Sequence, residues 1–552
     1  MKVTKIALKA GVVAGLMGSS VFAQSLSDAK KAIDAEQYQQ AKTILKKLVA
    51  SQPAEAANYF YLGNVYVKDD YLDSAKTIFS KGVSADNGFP LNYVGLGTID
   101  LASKNAAAAK ANFDKAISLA SRKDNDPYIY AAKAYVEDKN YDAALPLLEK
   151  AKAMDEKDAE VYLALGDLYA GQNKNSEAYG AYRSAFDLDK NQLHAKIALG
   201  ILVRKSKAYK ESADEFNAIL ATNANYAPAY RELAETYYLY ANEDRAQYDA
   251  RIKEALQYYT KYLDLTDRSL ESRMRYADFL ILSKDYKALE QEAQAMANAG
   301  QSNPRVYRYL GYSSYENGNY PASIQALKDF MSKVEPARVI PLDYFYLGKA
   351  QYKTGDTAAL TTLTKAVNLD STFAEEMSAW AGDAFKEKKY DVASKLYQLA
   401  VLGPKATLND RFYIGYSFYF DYVTKQQNKL NPSNDLLVQA DSAFSYVNKY
   451  APTFATAYLF RARTNRLLDD DQNPKGLSVP HYEKFIAVLS EKPENLTDPK
   501  YKRDLADAYN NLGAFYIKSD PAKAKEYFGK TLNLDPTNSY ASDVIKSLGG
   551  GK

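Results

Sequence analysis

Between residues 159 and 190 the apolar positions fall at helical spacing in two blocks, separated by a short polar break. Tyr162, Leu165, Gly166 and Tyr169 share one face of a first helix. Ala178, Tyr182 and Ala185 share one face of a second, and the residues from Gly171 to Lys174 supply the turn between them. Small residues at Gly166 and Ala178 let the two backbones approach, while the aromatic side chains fill the space beside them. The pattern predicts a helix–turn–helix hairpin.

The same pattern returns along the chain. A small residue recurs at Ala29, Gly63, Gly97, Ala132, Gly166, Gly200 and Ala234, with gaps of 34, 34, 35, 34, 34 and 34 residues. Around these anchors the companions keep their offsets: Tyr66, Ala75, Phe79 and Gly82 follow Gly63, and Tyr135, Ala144, Leu148 and Ala151 follow Ala132. A fixed period in this range marks a solenoid, in which each unit buries its apolar face against its neighbours. After residue 240 the phase drifts, with anchors at Ala277, Gly311, Gly348, Gly382, Gly415, Ala462 and Gly513 and gaps of 43, 34, 37, 34, 33, 47 and 51.

This spacing resembles the tetratricopeptide repeat over nearly all of residues 25–536. Asn533-Leu534-Asp535-Pro536 closes the last unit in that family's manner, and Pro53 and Pro452 end others, since proline cannot continue a helix. The resemblance implies an all-α, right-handed α-solenoid of about 14 helix–turn–helix repeats, with the first helices lining a concave groove. Residues 539–548 read as a helix capping the open end, and 549–552 as a frayed tail. We divide the chain into a leader at 1–23, an N-terminal array at 24–266, a C-terminal array with insertions at 267–536, and the capping helix and tail at 537–552. The excess residues fall at 242–249, 425–435, 469–476 and 492–498, where helix signals lapse. They are expected to be grown connections, which lengthen at little thermodynamic cost, or connections on a binding face.

Composition narrows the picture. Lys and Arg number 71 against 68 Asp and Glu, so no overall field argues for nucleic acid or an anionic surface. Cysteine is absent, which excludes disulfides, thiolate zinc sites, cysteine nucleophiles and lipid attachment at an N-terminal cysteine. Lys2, Lys5 and Lys9 precede an apolar run ending at Val21-Phe22-Ala23, the form of a secretory leader cleaved to leave Gln24 first. The run is short for a bilayer span, and no later segment is apolar enough to be one. An exported protein in the periplasm or soluble envelope fraction is expected.

The search for chemistry nominates no catalytic group. His194 and His481 stand far apart, with no metal-ligand spacing around either. No phosphate-binding or dinucleotide-binding loop and no nucleophile elbow is present. The run Asp469-Asp470-Asp471 lacks the ligand spacing and closing Glu of a calcium loop. No enzyme, cofactor or metal is therefore expected. Binding leaves more trace. The groove-facing positions should lie six and three residues before each anchor, and one and four after it. Around Gly311 these are Arg305, Arg308, Tyr312 and Tyr315. Around Gly348 they are Leu342, Phe345, Lys349 and Tyr352, and around Gly415 they are Asn409, Phe412, Tyr416 and Tyr419. The Gly382 set, Glu376, Ala379, Asp383 and Lys386, is plainer. Tyr and Arg dominate binding hot spots because they combine area with directional hydrogen bonds, although most of the 49 Tyr are expected to be packing residues. The reading is a non-enzymatic scaffold holding partner proteins or extended peptides, without nucleic acid. A carbohydrate- or cell-wall-polymer-binding module is the alternative, disfavoured by the single Trp. A regulatory arm for a separate enzyme looks the same in sequence as the scaffold.

Overall fold

The computed structural model describes residues 25–300, 303–470 and 472–549. The expected leader at 1–23, its cleavage site and residues 550–552 of the tail lie outside them. The described residues form 29 α-helices, from Leu26–Asp34 to Ser539–Gly549, with four short 3-10 segments and no strand among them. Nearly every first helix packs chiefly on the second helix that follows it, giving 14 hairpins in succession and one last helix among the described residues. This is an all-α helical-repeat solenoid, as the periodicity predicts.

The chain divides into two compact units between residues 301 and 302. That is one hairpin beyond the 266/267 boundary read from the drift in phase. The reason is local: the helix Leu270–Leu282 packs on Tyr248–Leu265 and carries Tyr286–Asn298 with it.

What closes most hairpins is contact between the anchor and a side chain about sixteen residues later, while in the longer Gly415 hairpin the partner is Phe444. A Cβ added at Gly63 would stand 2.3 Å from the Phe79 ring, at Gly97 2.5 Å from Phe113, at Gly166 2.3 Å from Tyr182 and at Gly200 2.5 Å from Phe216. In the second unit Gly311 meets Leu327, Gly348 meets Leu363 and Gly513 meets Phe528 in the same way. The partners are fully or almost fully buried, each contributing roughly 1.5–3 kcal/mol of transfer free energy.

In most hairpins the turn after the first helix places a residue with positive φ seven positions beyond the anchor: Asp70, Lys104, Lys139, Asn173, Lys207, Lys284, Gly318 and Gly355. This marker corrects one register. Lys388 carries the positive φ in the hairpin Met377–Lys386 and Tyr390–Ala400, so its anchor is the fully buried Ala381. Gly382 is half-buried, and a Cβ there would meet nothing closer than the Tyr397 hydroxyl at 3.5 Å.

Part of the excess is extra helical turns, not the loops expected, and part is loop, as at 428–434. The Ala234 hairpin has helices of 17 and 18 residues, Ala227–Glu243 and Tyr248–Leu265, where the Gly166 hairpin has 13 and 14. Leu408–Gln427 runs 20 residues and Pro499–Tyr516 runs 18. Residues 469–476 do form a loop, organised by one carboxylate. Asp469 accepts N–H bonds from Asp470, Lys475, Gly476 and Leu477 at 2.8–3.0 Å. Burial works against its charge, but these four donors hold its carboxyl below the usual range. Asp469 thus stitches the loop that follows it.

Two glycines in one hairpin test this packing. Gly166→Leu should lower stability by about 1–3 kcal/mol, because Tyr182 is held by its hydroxyl bond to Asp167 Oδ1 and cannot swing aside. Gly180 sits mid-helix with nothing within 4 Å of an added Cβ, so Gly180→Ala should be neutral or stabilising by about 0.5–1 kcal/mol. Thermal melts of the two variants check the contrast; equal shifts would show that the anchor is not the tight point.

Candidate functional site

In the second unit, the structure separates the nine candidate residues by what they touch. Arg308 and Tyr312 converge on Asp343 of the following hairpin. Arg308 Nε and Nη2 donate to its two carboxylate oxygens at 2.8 Å each, and the Tyr312 hydroxyl donates at 2.6 Å. The Ile340 N–H adds a fourth bond at 2.8 Å, capping the helix Pro341–Thr354. Asp343 is fully buried, and Tyr312 is 2 % exposed and stacked on Tyr346 at 4.4 Å. The Arg308 guanidinium also lies 4.3 Å from the Phe330 ring. Burial opposes the Arg308 charge, but Asp343 outweighs it and strengthens proton binding. These two residues were expected to face an open groove. They form an inter-repeat clip instead, because a buried carboxylate must be paired where it stands. Phe412 is likewise 6 % exposed, packed on Phe444 and Phe454.

The remaining candidates keep part of their surface. Arg305 sits at the start of its helix, 5.6 Å from the Tyr309 ring. Lys349 is set among rings, its Nζ 4.8 Å from Tyr315, 5.0 Å from Phe345 and 5.4 Å from Tyr346, with Glu376 at 3.4 Å. Tyr352 stacks on Trp380, the planes only 6° apart and the centroids 5.3 Å. Tyr416 and Tyr419 both pack on Phe460, at 4.6 and 5.4 Å. Burial raises the hydroxyl pKa of Tyr315, Tyr352, Tyr416 and Tyr419, so all four are neutral donors at physiological pH.

The register correction changes the hairpin that looked plain. With Ala381 as anchor, its inner positions are Glu375, Ser378, Gly382 and Phe385 in place of Glu376, Ala379, Asp383 and Lys386. Phe385 stacks on Tyr416 at 5.3 Å and meets Tyr390 at 5.1 Å. Half-buried aromatic groups therefore stand on each of these first helices, Tyr315, Tyr352, Trp380 with Phe385, and Tyr416 with Tyr419, with Tyr352 stacked on Trp380 and Phe385 on Tyr416. Ser378 donates to the buried Asp410 of the next hairpin, repeating the geometry of Arg308 and Asp343.

In the first unit the same offsets select residues that sequence reasoning passed over: Lys133, Glu160, Asp167, His194, Arg204 and Arg231. Each is paired with a side chain of the same unit. Lys133 bonds Glu160, which also accepts from Gln192 Nε2 at 2.8 Å. Arg204 lies 2.8 Å from Glu232, and His194 Nε2 lies 2.8 Å from Asp34 Oδ1. Phe60 and Tyr130, two hairpins apart, meet at 5.3 Å, and Lys68 reaches Glu137 at 3.1 Å. The inner face of this unit is thus bridged by its own side chains. Applying the offsets to every anchor, not only to the Tyr-rich ones, would have found the set. Among the described residues no group of three or more metal-ligating side chains comes together, and no helix is long and apolar enough to cross a membrane.

No protein-family model and no curated protein matches the chain. Solved structures do. The C-terminal part of a TPR repeat-containing protein from Cytophaga hutchinsonii is 27% identical, covering 49% of this chain and 98% of its own, with a TM-score of 0.28. A tetratricopeptide repeat protein from Parabacteroides merdae is 13% identical over 47% of this chain and 96% of its own, TM-score 0.32. Cut9–Hcn1, the hetero-tetramer of the APC/C, is 14% identical over 95% and 97%, TM-score 0.29. The superpositions are partial, and no function is carried over from them.

The clip around Asp343 has a measurable cost. Asp343→Asn should lower the stability of the second unit by about 3–5 kcal/mol by stranding the Arg308 charge. Tyr312→Phe should cost about 1.5–3 kcal/mol, the value of a bond to a charged acceptor. Urea unfolding measures both, and the double variant should lose less than the sum of the two, because both act on one carboxylate.

Proposed function

We propose that the protein is a non-enzymatic interaction scaffold that holds an extended segment of a partner protein along the inner face of its second unit. The observation that carries this reading is the set of half-buried aromatic side chains, Tyr315, Tyr352, Trp380, Phe385, Tyr416 and Tyr419, on the first helices of four successive hairpins. Rings of this kind give a partner apolar area at low entropic cost and leave hydroxyl groups for hydrogen bonds. The Lys349 ammonium among them adds a cation at one point. The first unit offers less, since its inner charges are already satisfied by one another. Arg308 and Tyr312 support this face from behind and are not its contacts.

A photo-crosslinking residue placed at Tyr352 or Tyr416 should yield discrete protein adducts in cells. The same residue at Gly180, on the outer side of the first unit, should not. Alanine at Tyr352 or Tyr416 should then weaken binding of the captured partner by about 1–2 kcal/mol with helicity intact. Retention on insoluble cell-wall polymer in place of protein adducts would move the reading to a polymer-binding module.

We also propose that the protein is exported and works in the soluble envelope fraction. Supporting this are Lys2, Lys5 and Lys9, the apolar run and Val21-Phe22-Ala23. Intact mass of the protein recovered from cells should correspond to a chain starting at Gln24; a chain starting at Met1 in the cytoplasm would overturn export.

A further inference from the structure

A solenoid repeat ordinarily touches only its neighbours. The first hairpin, Leu26–Asp34 and Tyr38–Ser51, also reaches the sixth and seventh. Glu36 accepts from Arg231 on Ala227–Glu243, and from the Tyr262 hydroxyl on Tyr248–Leu265 at 2.9 Å. Gln37 Nε2 donates to the Leu265 carbonyl at 3.0 Å, and the Gln39 N–H donates to Asp267 Oδ2 at 2.6 Å. Asp34 meets His194, at the start of Leu193–Lys205, at 2.8 Å. Every one of these contacts is polar. The apolar core around Ala29, Ile44 and Leu45 draws only on residues 26–78, so no hydrophobic contact within it bridges to the far hairpins.

Glu36 marks the arrangement as specific. It occupies the positive-φ turn position that Asp70, Lys104, Lys139, Asn173 and Lys207 hold in the next five hairpins. Those five side chains are exposed to solvent, whereas that of Glu36 is 12% exposed. Its charge is also opposite to that of the three lysines. A carboxylate at this turn is what the facing Arg231 and Tyr262 require.

We propose that the first hairpin is a latch, closing the N-terminal unit into a ring by Glu36, Asp34, Gln37 and Gln39, and that loss of these bonds lets the ring open as a spring while every hairpin stays folded. The basis is mechanical. Each hairpin interface along the unit can flex slightly, and this polar seam ties the first hairpin to the sixth and seventh, so that those small rotations do not add up.

The His194–Asp34 pair makes closure pH-dependent. Burial works against a charged His194, but the bond to Asp34 and the nearby Glu36 outweigh it and raise its proton affinity, with Lys133 opposing. The other titratable groups facing this pair are Glu160 and Asp167 from the fifth hairpin and Tyr226 at the entry to the seventh. For a histidine whose folded pKa is raised, the contribution is fully present below the ordinary 6.5 and is lost as pH rises through the folded value above it. Asp167 is raised by its burial in the fifth hairpin, where its bond is to Tyr182 and not to the seam. Glu160 is held low by Lys133 and Gln192 against its burial, and Tyr226 is raised by burial, so neither titrates in this window. Closure should therefore be tighter at pH 6 than at pH 8.

The absence of cysteine allows direct measurement in the full chain. Spin labels at Gln40→Cys and Lys261→Cys, both exposed, should report a single short distance at pH 6. A second, longer distance should appear at pH 8 and in 1 M salt, which screens partly exposed ion pairs. Glu36→Gln and Arg231→Met should each populate the longer distance at pH 6 with helical circular dichroism unchanged. The exchanged pair Glu36→Arg with Arg231→Glu should restore the short one, and His194→Gln should remove the pH dependence. One short distance throughout, in folded Glu36→Gln and in the parent across pH and salt, would overturn the latch. Should a variant fail to fold, the parent's own pH and salt series decides.

Discussion

The close approach of a small anchor to a bulky side chain about sixteen residues later sets the spacing of everything else. With a Cβ at Gly166 the Tyr182 ring would have to move, and with it the second helix that carries the ring. The same contact at Gly63, Gly97 and Gly200 fixes the separation of the helices in each hairpin. The face each first helix turns inward follows from it. Helical geometry then decides the rest, since residues six and three before the anchor and one and four after it must share one adjoining face.

What the inner side carries differs between the two units, and the difference is one of pairing. In the first, Lys133, Glu160, His194, Arg204 and Arg231 find opposite charges on neighbouring or distant hairpins. Such a face is specific about its own geometry and leaves little unsatisfied for a ligand. In the second, rings take those places and pack edge-on or stacked while keeping part of their area in water. Apolar area still wet is what a partner can remove from water. The Asp343 and Asp410 carboxylates behind that surface hold consecutive hairpins in register through Arg308, Tyr312 and Ser378.

The sequence by itself determined the repeat, the hairpin and its packing contact, because these depend on residues within about 34 positions of one another. The count of 14 hairpins and the last helix were legible for the same reason. Locality also set the limits of that reading. One register slipped by a residue at Gly382, because two small residues stand side by side there. A one-residue error rotates a helix by about 100°, and so Phe385 was missed as an inner residue. The extra residues near 242–249 read as a lapse of helix signal, yet helical turns cover most of them, since packing on neighbours overrides weak propensity, whereas 428–434 is a loop as the lapse there suggests.

Only the tertiary structure decided which Tyr and Arg side chains are structural. Arg308 and Tyr312 look like exposed anchors at their offsets, but Asp343 lies 35 and 31 positions further on, in another hairpin, and consumes both. The contact of Glu36 with Arg231, 195 residues away, follows from how several hairpins accumulate rotation. No periodic pattern encodes that sum. Each repeat specifies its neighbour, and contacts that return across many repeats emerge only once all of them are stacked.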